Sequence, residues 1–588
     1  QSCYPYFFPL TSATGRRSTR RMLGHVFPLG RRSNEGSSHR VQKPTSTAHG
    51  PLVLEEKSRL SHSMIWNWMR AFYDQQGVGA WSNGIVPNFV TTNCCIAKMY
   101  ANVIFGFLCD VFSPAGMEAF HVDPSQPLYI MELGAGHGKF SFLLMKHLLK
   151  MKEFLPETKM KVPFKFIMTD FTENNISFWQ NHPSLRPFVK MGLVDFAKFD
   201  AENDMEIYLI MAKKTLNKHT MKNPMVLVAN YIFDTLRHEA FRIHEGKLQE
   251  ALITVTSERA FEPDVNDPGL IKRFRPKWSY RGVSHKDYFT GKQADLNPIL
   301  ERMVRRSALR NASILIPVGG INCLRNLIDL TGGRLFFLSG DKAYNYENEM
   351  KGLRDPHIAI HGSFSMMVNY DAVRYYFETR GGFSVHTPYQ DGFKVAAFIL
   401  GADRSIVKRG RLNFTMSLKS FGPDNFSTLQ RSIKDKIEKP SLKLVLSLLR
   451  LSGYDSDVFY KFRQFLIDKL GHPYTSEKIQ QDIRRDIVEI YSLYYPLSKS
   501  KDVAFEIGRL FMSMKDYKAA QRYFIDSIRD CGEHHVTHYN LGLCYNYIGE
   551  FASALKSFDR SLEIKPEYRE AREWRNRMVN KLGQKTGR

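Results

Sequence analysis

The sequence lacks three patterns that would each point to a different class of protein. No uninterrupted apolar run reaches the roughly 18 residues that a membrane-spanning helix needs, so we expect no membrane partner. Only seven of the 588 residues are cysteine, and apart from the adjacent Cys94 and Cys95 they are scattered. Because no Cys-x-x-Cys pair or Cys/His ligand spacing occurs, we expect neither a disulfide framework nor a metal site. Scattered cysteines fit a reducing compartment, and we expect a cytoplasmic protein.

Acidic residues are almost missing from the first 50 positions. Glu35 is the only carboxylate there, against eight lysines and arginines. The segment has no long hydrophobic periodicity, so residues 1–50 are predicted to be a disordered basic tail. An Arg- and Ser-rich, acid-poor segment is also typical of a mitochondrial transit peptide. Mitochondrial targeting therefore stays open as the alternative to a dispensable tail.

The basic excess extends beyond this tail. The whole chain holds 83 Lys and Arg against 59 Asp and Glu, a net charge of +24. A nucleic-acid-binding protein usually concentrates such charge in a dense block with interleaved aromatic residues. The sequence has no such block, so nucleic acid is not predicted as a partner.

The most informative stretch is residues 128–147, LYIMELGAGHGKFSFLLMKH. Its apolar start predicts a buried strand that ends at Glu132, and the apolar residues after Gly138 have helical spacing. Strand, glycine turn and helix form the first unit of a nucleotide-binding βαβ fold. Glycines let a ligand lie against the backbone without meeting a Cβ, and the helix N-terminus offers free N–H donors.

The glycine spacing selects among ligands. A dinucleotide fingerprint, G-x-G-x-x-G, would need its third glycine where Lys139 stands, and no G-K-[ST] of a P-loop follows. The stretch is instead E-x-G-x-G-x-G, with Glu132 before Gly134, Gly136 and Gly138. This resembles motif I of the class I S-adenosylmethionine (SAM) methyltransferases. A glycine turn in an unrelated α/β protein is the alternative.

Strand and helix patterns alternate over the following residues. Strand-like runs occur at 128–132, 165–170, 192–200, 224–230, 334–340 and 395–401. Such alternation predicts a mostly parallel sheet with helices on both faces, a Rossmann-like α/β domain. Ligands of such sheets bind at the carboxyl ends of the strands.

Polar residues stand at several of those strand ends. Asp170 could accept both ribose hydroxyls of SAM, and Asp200 with the Ala201 N–H could pair with the adenine. Asn230 and Asp234 follow the fourth strand, where class I methyltransferases place the group that meets the methyl acceptor. Asp and Asn are also ordinary turn and N-cap residues, so each position alone could have a purely structural role.

The C-terminal part carries an internal repeat. Gly508 and Gly542 are 34 residues apart, the period of a tetratricopeptide repeat, and the residues at offsets −1, +3, +12 and +16 from each glycine agree in type. Pro566 matches the repeat's proline, where the first copy has Gly532. Such helix pairs form a concave surface for a partner's peptide, or they brace the chain itself.

The full organisation follows from these patterns. We predict an α/β, Rossmann-like domain with a helical N-terminal cap, followed by an all-α repeat domain. The expected segments are a tail (1–50), a helical cap region (52–127), the α/β domain (128–402), a linker (403–440), a helical region (441–500) and tetratricopeptide repeats (501–588).

Residues 52–400 together resemble the MidA-like superfamily of SAM-dependent methyltransferases. The stretches that carry the resemblance are 89–108, 132–140, 228–241 and 361–370. The layout is similar to bacterial proteins that join such a domain to tetratricopeptide repeats. The resemblance implies SAM as cofactor and methyl transfer as activity.

Two departures separate the chain from the arginine-methylating branch of that superfamily. Asn230-Tyr231 stands where that branch has Asn-Glu, and residues 367–370 replace a His-Val-Asp-Phe segment. Carboxylates that would hold a guanidinium and accept its proton are lost, which argues against arginine as acceptor.

The function that these observations favour is methyl transfer from SAM to a protein recruited in part by the repeats. An inactive SAM-fold scaffold or assembly factor that works through its repeats is the alternative. A nucleic-acid methyltransferase is disfavoured because no N-P-P-[YF] motif follows the fourth strand. Candidate cofactor-binding residues are Glu132, Gly134, Gly136, Gly138, Asp170, Asp200 and Ala201, and candidate catalytic residues are Asn230 and Asp234.

Overall fold

The computed structural model describes residues 51–388, 392–436, 440–473, 475–497 and 501–586. The predicted tail at 1–50 lies outside these residues. The strands are β1 Leu52–Arg59, β2 Leu128–Leu133, β3 Phe164–Asp170, β4 Val194–Lys198, β5 Ile207–Leu209, β6 Lys214–Leu216, β7 Met225–Asn230, β8 Glu239–His244, β9 Lys247–Ser257, β10 Phe274–Gly282, β11 Ala312–Ile316, β12 Leu335–Tyr344, β13 Ile358–Ile360, β14 Phe364–Met366, β15 Val368–Asn369, β16 Phe383–His386 and β17 Phe393–Leu400.

Helices flank these strands and make up the C-terminal part. They are α1 Ile65–Gln76, α2 Gly79–Ser82, α3 Cys94–Val111, α4 Pro114–Ala119, α5 Lys139–Met151, α6 Glu173–Asn181, α7 Arg186–Lys190, α8 Asn297–Arg305, α9 Val318–Leu330, α10 Tyr370–Glu378, α11 Lys408–Phe414, α12 Pro423–Lys436, α13 Leu442–Leu451, α14 Ser456–Leu470, α15 Glu477–Ser492, α16 Val503–Ser513, α17 Tyr517–Cys531, α18 His535–Ile548, α19 Phe551–Ile564 and α20 Arg569–Thr586.

The central sheet has the strand order β16-β17-β12-β7-β2-β3-β4. Neighbours from β12 to β4 are parallel, while β17 pairs antiparallel with β12 and β16. The six predicted strands are confirmed as β2, β3, β4, β7, β12 and β17. Since the chain passes from β2 to β3 and β4 on one side and later to β7 and β12 on the other, the topological switch point lies between β2 and β7.

The register of these strands gathers the candidate residues at one edge. Leu133 lies opposite Ala229, and Glu132 lies opposite Met168. Gly134, the first residue after β2, therefore lies level with Asp170 and Asn230, the last residues of β3 and β7. This edge is the crevice where a sheet of this topology binds its ligand.

A second, antiparallel sheet was not predicted. Its order is β1-β9-β8-β11, with β10 also paired to β9. The two residues between β8 and β9, Glu245 and Gly246, both have positive φ (49° and 78°), as a tight hairpin requires. The start of the predicted helical cap is therefore wrong, because residues 52–59 form β1 and pair with β9.

The predicted linker at 403–440 is also wrong in its first part, where α11 forms. Here α11 crosses α3 closely, since a Cβ on Gly106 would lie 2.7 Å from the Arg409 carbonyl oxygen. The Asp110 carboxylate accepts hydrogen bonds from the N–H groups of Arg409 and Gly410, at 3.0 and 2.8 Å. These contacts fix α11 on the α/β domain, so this segment is part of the packed fold.

Helix α3 is the one described helix that is long and apolar enough to cross a membrane by composition and length. It is 83% buried inside the protein, as core helices are. Its packing partners include α5 and α11. We therefore assign α3 to the core of the α/β domain.

The C-terminal helices stack in pairs. A Cβ on Gly508 would lie 2.7 Å from the Phe524 ring, and one on Gly542 would lie 2.7 Å from the Phe558 ring. The small residues thus allow the close helix approach that the repeat pattern predicted. One continuous buried cluster runs from α3 and α5 through α13–α15 into α16–α18. The α/β domain and the C-terminal helices therefore share a core.

Candidate active site

A cavity of about 250 Å³ opens at the carboxyl ends of β2, β3 and β7, and a neighbouring cavity of about 80 Å³ lies beside it. We call them the large lobe and the small lobe of one site, because they share lining residues. The shared residues are Tyr73, Gly134, Asp170, Phe171, Ile232 and Thr235.

The two lobes bring most of the predicted site residues together. Glu132, Gly134, Gly136, Asp170, Asn230 and Asp234 line the large lobe. Gly134, Asp170, Asp200 and Ala201 line the small lobe. Gly138 lines neither, because its Cβ position faces Met168 and Trp179 beneath the loop, at 2.7 and 3.0 Å. Its position serves the packing of α5 on the sheet.

The glycine loop has the left-handed backbone that only glycine adopts easily. Gly134, Gly136 and Gly138 have φ of 61°, 54° and 79°. A Cβ on Gly136 would lie 2.9 Å from the Trp81 ring, within the wall of the large lobe. The loop thus forms a cradle in which any side chain would intrude.

Glu132 is buried at the floor of the large lobe. The Ser141 hydroxyl donates a hydrogen bond to its Oε2. Burial nevertheless raises the pKa of Glu132 to about 8, so the carboxyl is largely protonated at neutral pH. A cationic group bound beside it would favour the ionised form.

Asp170 is fully engaged by the protein. Its Oδ2 accepts from the Gly136 N–H (3.1 Å) and from Asn175 Nδ2 (3.0 Å), and its Oδ1 accepts from the N–H and hydroxyl of Thr172 (3.0 and 3.2 Å). These four bonds use the lone pairs that a carboxylate offers. Ribose hydroxyls would have to replace one of these donors.

Asn175 is a lining residue that the sequence analysis missed. It is almost fully buried, and within the described part of the chain its Oδ1 has no hydrogen-bond partner. Since its Nδ2 is held by Asp170, the Oδ1 is free to accept a ligand hydroxyl. Its place in the first helix after β3 could have been a signal, but Asn is common there.

The small lobe combines apolar walls with the carboxylates of Asp170, Asp200 and Glu202. Phe171, Phe199 and Ile232 line it, and Arg70 contacts both the Phe171 ring (4.9 Å to its centroid) and Asp200 Oδ2 (2.8 Å). A flat, apolar slot with a hydrogen-bond acceptor at its rim suits an aromatic base. Arg70 was not predicted, because α1 lies far from β4 in the sequence.

Asn230 stands at the end of β7 with one half of its amide in use. Its Oδ1 accepts a 2.9 Å hydrogen bond from the Tyr100 hydroxyl. Its Nδ2 is buried and unpaired among the described residues. Tyr231 follows with φ of 52°, a strained conformation for a bulky residue that often marks functional sites. Asn230 thus presents a donor to the large lobe.

Asp234 forms a buried pair with Asp341, a residue that the sequence analysis missed. Asp341 Oδ2 accepts from the Phe233 N–H at 3.1 Å, and the Oδ1 atoms of both aspartates are unpaired within the described ranges. Burial raises the pKa of both carboxyls, and repulsion from Asp234 raises that of Asp341 further. Two buried carboxyls side by side favour a state in which one of them keeps its proton. The fifth predicted strand ends at Gly340. The next residue, Asp341, was therefore not predicted as a site residue.

Over the described residues, no group of three or more His, Cys, Asp or Glu side chains has a metal-binding arrangement. The polar groups of the site are instead hydrogen-bond donors, acceptors and a proton-sharing pair. The arrangement is suited to holding a bipartite ligand and to moving a proton.

Comparison with known proteins identifies one part of the chain. Residues 535–568 match the tetratricopeptide repeat family, so the C-terminal helices contain this repeat. No curated protein matches the chain.

Two solved structures from Burkholderia thailandensis are similar to the chain at low identity. One is an uncharacterized ACR protein of the COG1565 superfamily, at 11% identity and a TM-score of 0.34, covering 58% of this chain and 88% of that one. The other is a candidate methyl transferase of the same superfamily, bound to S-adenosyl-homocysteine, at 10% identity and a TM-score of 0.32, covering 58% and 94%.

Proposed function

We propose that the protein is a SAM-dependent methyltransferase. The observation that carries the proposal is the two-lobed site at the switch point between β2 and β7, floored by the glycine loop. An apolar slot joined to a larger chamber that also holds several polar side chains matches a nucleoside joined to an amino acid. Asn175 and Asn230, each with a buried polar atom that has no partner among the described residues, line that chamber.

Each part of the site would hold one part of the cofactor. Asp200 and Ala201 with Phe171 would hold the adenine in the small lobe. Asp170 with Asn175 would hold the ribose at the junction of the lobes. Glu132, Gly134 and Gly136 would hold the amino-acid end, and the bound cofactor would supply an electrophilic methyl group.

Asn230 and Asp234 would act on the methyl acceptor. The free Nδ2 of Asn230 can orient an acceptor oxygen or nitrogen lone pair, which is the geometric part of catalysis. Asp234 Oδ1 can take the proton that the acceptor loses. Asp341 would keep the one proton of the pair. Asp234 would then be ionised and could accept the proton.

We further propose that the acceptor is a protein bound in part by the tetratricopeptide repeats. The repeats belong to the same packed unit as the site, so a bound partner would be held at a fixed distance from the large lobe. Pull-down of methyl-labelled protein by the intact chain, and its loss with a repeat-surface variant, would support this.

Calorimetric titration of residues 51–588 with SAM and with S-adenosylhomocysteine (SAH) tests the cofactor proposal. We expect micromolar binding of both, at one site per chain. A folded protein that binds neither ligand would contradict the proposal and favour the scaffold hypothesis, in which only the repeats act. Circular dichroism on the same sample confirms that the chain is folded.

The protonated state of Glu132 predicts a pH dependence of binding. The ligand's ammonium group would favour the ionised form of Glu132. Binding would therefore lower the pKa of Glu132 from its value of about 8 in the protein without ligand, and a proton would be released. We therefore expect SAH to bind about tenfold more tightly at pH 8 than at pH 6. The variant Glu132→Gln cannot release this proton, so its affinity should change much less over the same interval. Equal slopes for the two proteins would contradict this role of Glu132.

A further inference from the structure

The segment that leads from α15 into the first repeat touches the glycine loop. Tyr495 is 3% exposed, and its hydroxyl donates a 3.0 Å hydrogen bond to the carbonyl oxygen of His137, between Gly136 and Gly138. Its ring stacks on His182, with centroids 3.8 Å apart and planes 7° apart. The phenol is therefore fixed from two directions and directed at the loop.

A second contact from the same helices lies one residue beyond the loop. Lys139, the first residue of α5, is buried, and its Nζ donates to Asp457 Oδ2 on α14 at 2.9 Å. Asp457 Oδ1 accepts from Lys501, which lies two residues before the first repeat helix α16. The nearby ammonium groups lower the pKa of Asp457, so the carboxylate is ionised at neutral pH.

The α/β domain itself holds only part of the loop. Trp179 Nε1 donates to the Gly136 carbonyl at 2.8 Å, and the Ala135 and Gly136 N–H groups are bonded to Thr169 and Asp170. The His137 carbonyl is held by Tyr495. Within the α/β domain, the Gly138 N–H donates to the Ala135 carbonyl at 2.8 Å, and the His137 ring meets the Asn88 amide at 2.9 Å. The segment after α15 thus adds the contact to the His137 carbonyl, which these bonds do not supply.

We propose that Tyr495 and Asp457 are positioning residues for the glycine loop at 134–138. They contact the loop and the start of α5 and thereby fix the SAM site. This inference rests on the proposed function of that site. Both residues lie in the helical region 441–500 that precedes the repeats, so these contacts assign an internal bracing role to that region. Through Lys501, which pairs with Asp457, the residues just before the first repeat also contribute to holding the site.

The substitution Tyr495→Phe tests the proposal with little risk to folding, because it removes only the hydroxyl. Tyr494→Phe is its matched control: Tyr494 is also buried, and its hydroxyl donates to a backbone carbonyl, that of Lys501, at 2.8 Å. We expect Tyr495→Phe to weaken SAH binding roughly threefold to tenfold, the usual effect of one lost hydrogen bond. Tyr494→Phe should bind SAH as the wild type does, at a similar loss of thermal stability.

Hydrogen exchange of the loop amides separates a local effect on the loop from a general loss of stability, which would be shared by both variants. We expect faster exchange at residues 136–139 in Tyr495→Phe and no change there in Tyr494→Phe. Wild-type exchange and SAH affinity in Tyr495→Phe, or equal effects of both substitutions, would overturn the proposal. If the wild type itself does not bind SAH, the proposed function fails, while the exchange comparison still decides whether Tyr495 positions the loop.

Discussion

The variant Gly136→Arg is expected to lose SAH binding by more than about a hundredfold. Gly136 has φ of 54°, and its Cβ position points 2.9 Å from the Trp81 ring into the wall of the large lobe. An arginine there both strains the backbone, at roughly 1–2 kcal/mol, and fills the chamber proposed for the amino-acid end. Calorimetric titration against the wild type measures the loss.

The surface substitution Gly192→Arg controls for backbone strain and added charge. Gly192 has φ of 69°, and within the described structure no atom lies within 4 Å of its Cβ position. We expect it to bind SAH normally. Should Gly136→Arg not fold, Gly136→Ala keeps the test available, with a smaller expected loss. Wild-type affinity in a folded Gly136→Arg would show that the ligand binds elsewhere.

The variant Asp234→Asn is expected to lower the methyl-transfer rate by about 10²–10⁴, the usual contribution of a general base. An amide has the shape of the carboxyl but cannot take the acceptor's proton. SAH affinity should change little, because Asp234 lies on the acceptor side of the large lobe. Transfer of labelled methyl groups from SAM to proteins of a cell extract, with calorimetry in parallel, separates the two effects.

Asp341 provides the internal control for this role. Its protonated carboxyl donates to Asp234 and thereby lowers the pKa of Asp234. The variant Asp341→Ala removes that donor, so the pKa of Asp234 should rise and the acid limb of the pH–rate profile should move to higher pH. Asp341→Asn keeps a donor and should restore the limb. An unchanged rate in Asp234→Asn would refute the assignment of Asp234 as the proton acceptor.

The sequence predicted the parts of the fold that depend on local pattern. The six strands of the central sheet are mostly apolar runs, since strands of a parallel sheet are buried on both faces. The polar residues at their ends could be placed because parallel strands present their carboxyl ends at one edge. The antiparallel sheet was missed, since its hairpin turn at Glu245-Gly246 lacks the usual Asn-Gly signal.

The unpredicted parts of the site depend on contacts between residues distant in sequence. Asp341 meets Asp234 only because β12 pairs in register with β7, and Arg70 reaches Asp200 from a helix before the sheet begins. Tyr495 meets His137 across 358 positions. No local signal marks such residues, and Gly138 was assigned to the ligand because motif spacing cannot tell a glycine beneath the loop from one facing the cavity.

The core shared between the α/β domain and the C-terminal helices has a consequence for how the chain is made. Ribosomes add about 5–20 residues per second, so α5 leaves the ribosome tens of seconds before the helices that cover it. During that interval the apolar face of α5 and the ammonium of Lys139 lack the partners that bury them in the finished protein. The first half of the chain therefore cannot complete its fold until α14 and the segment around Tyr495 have left the ribosome.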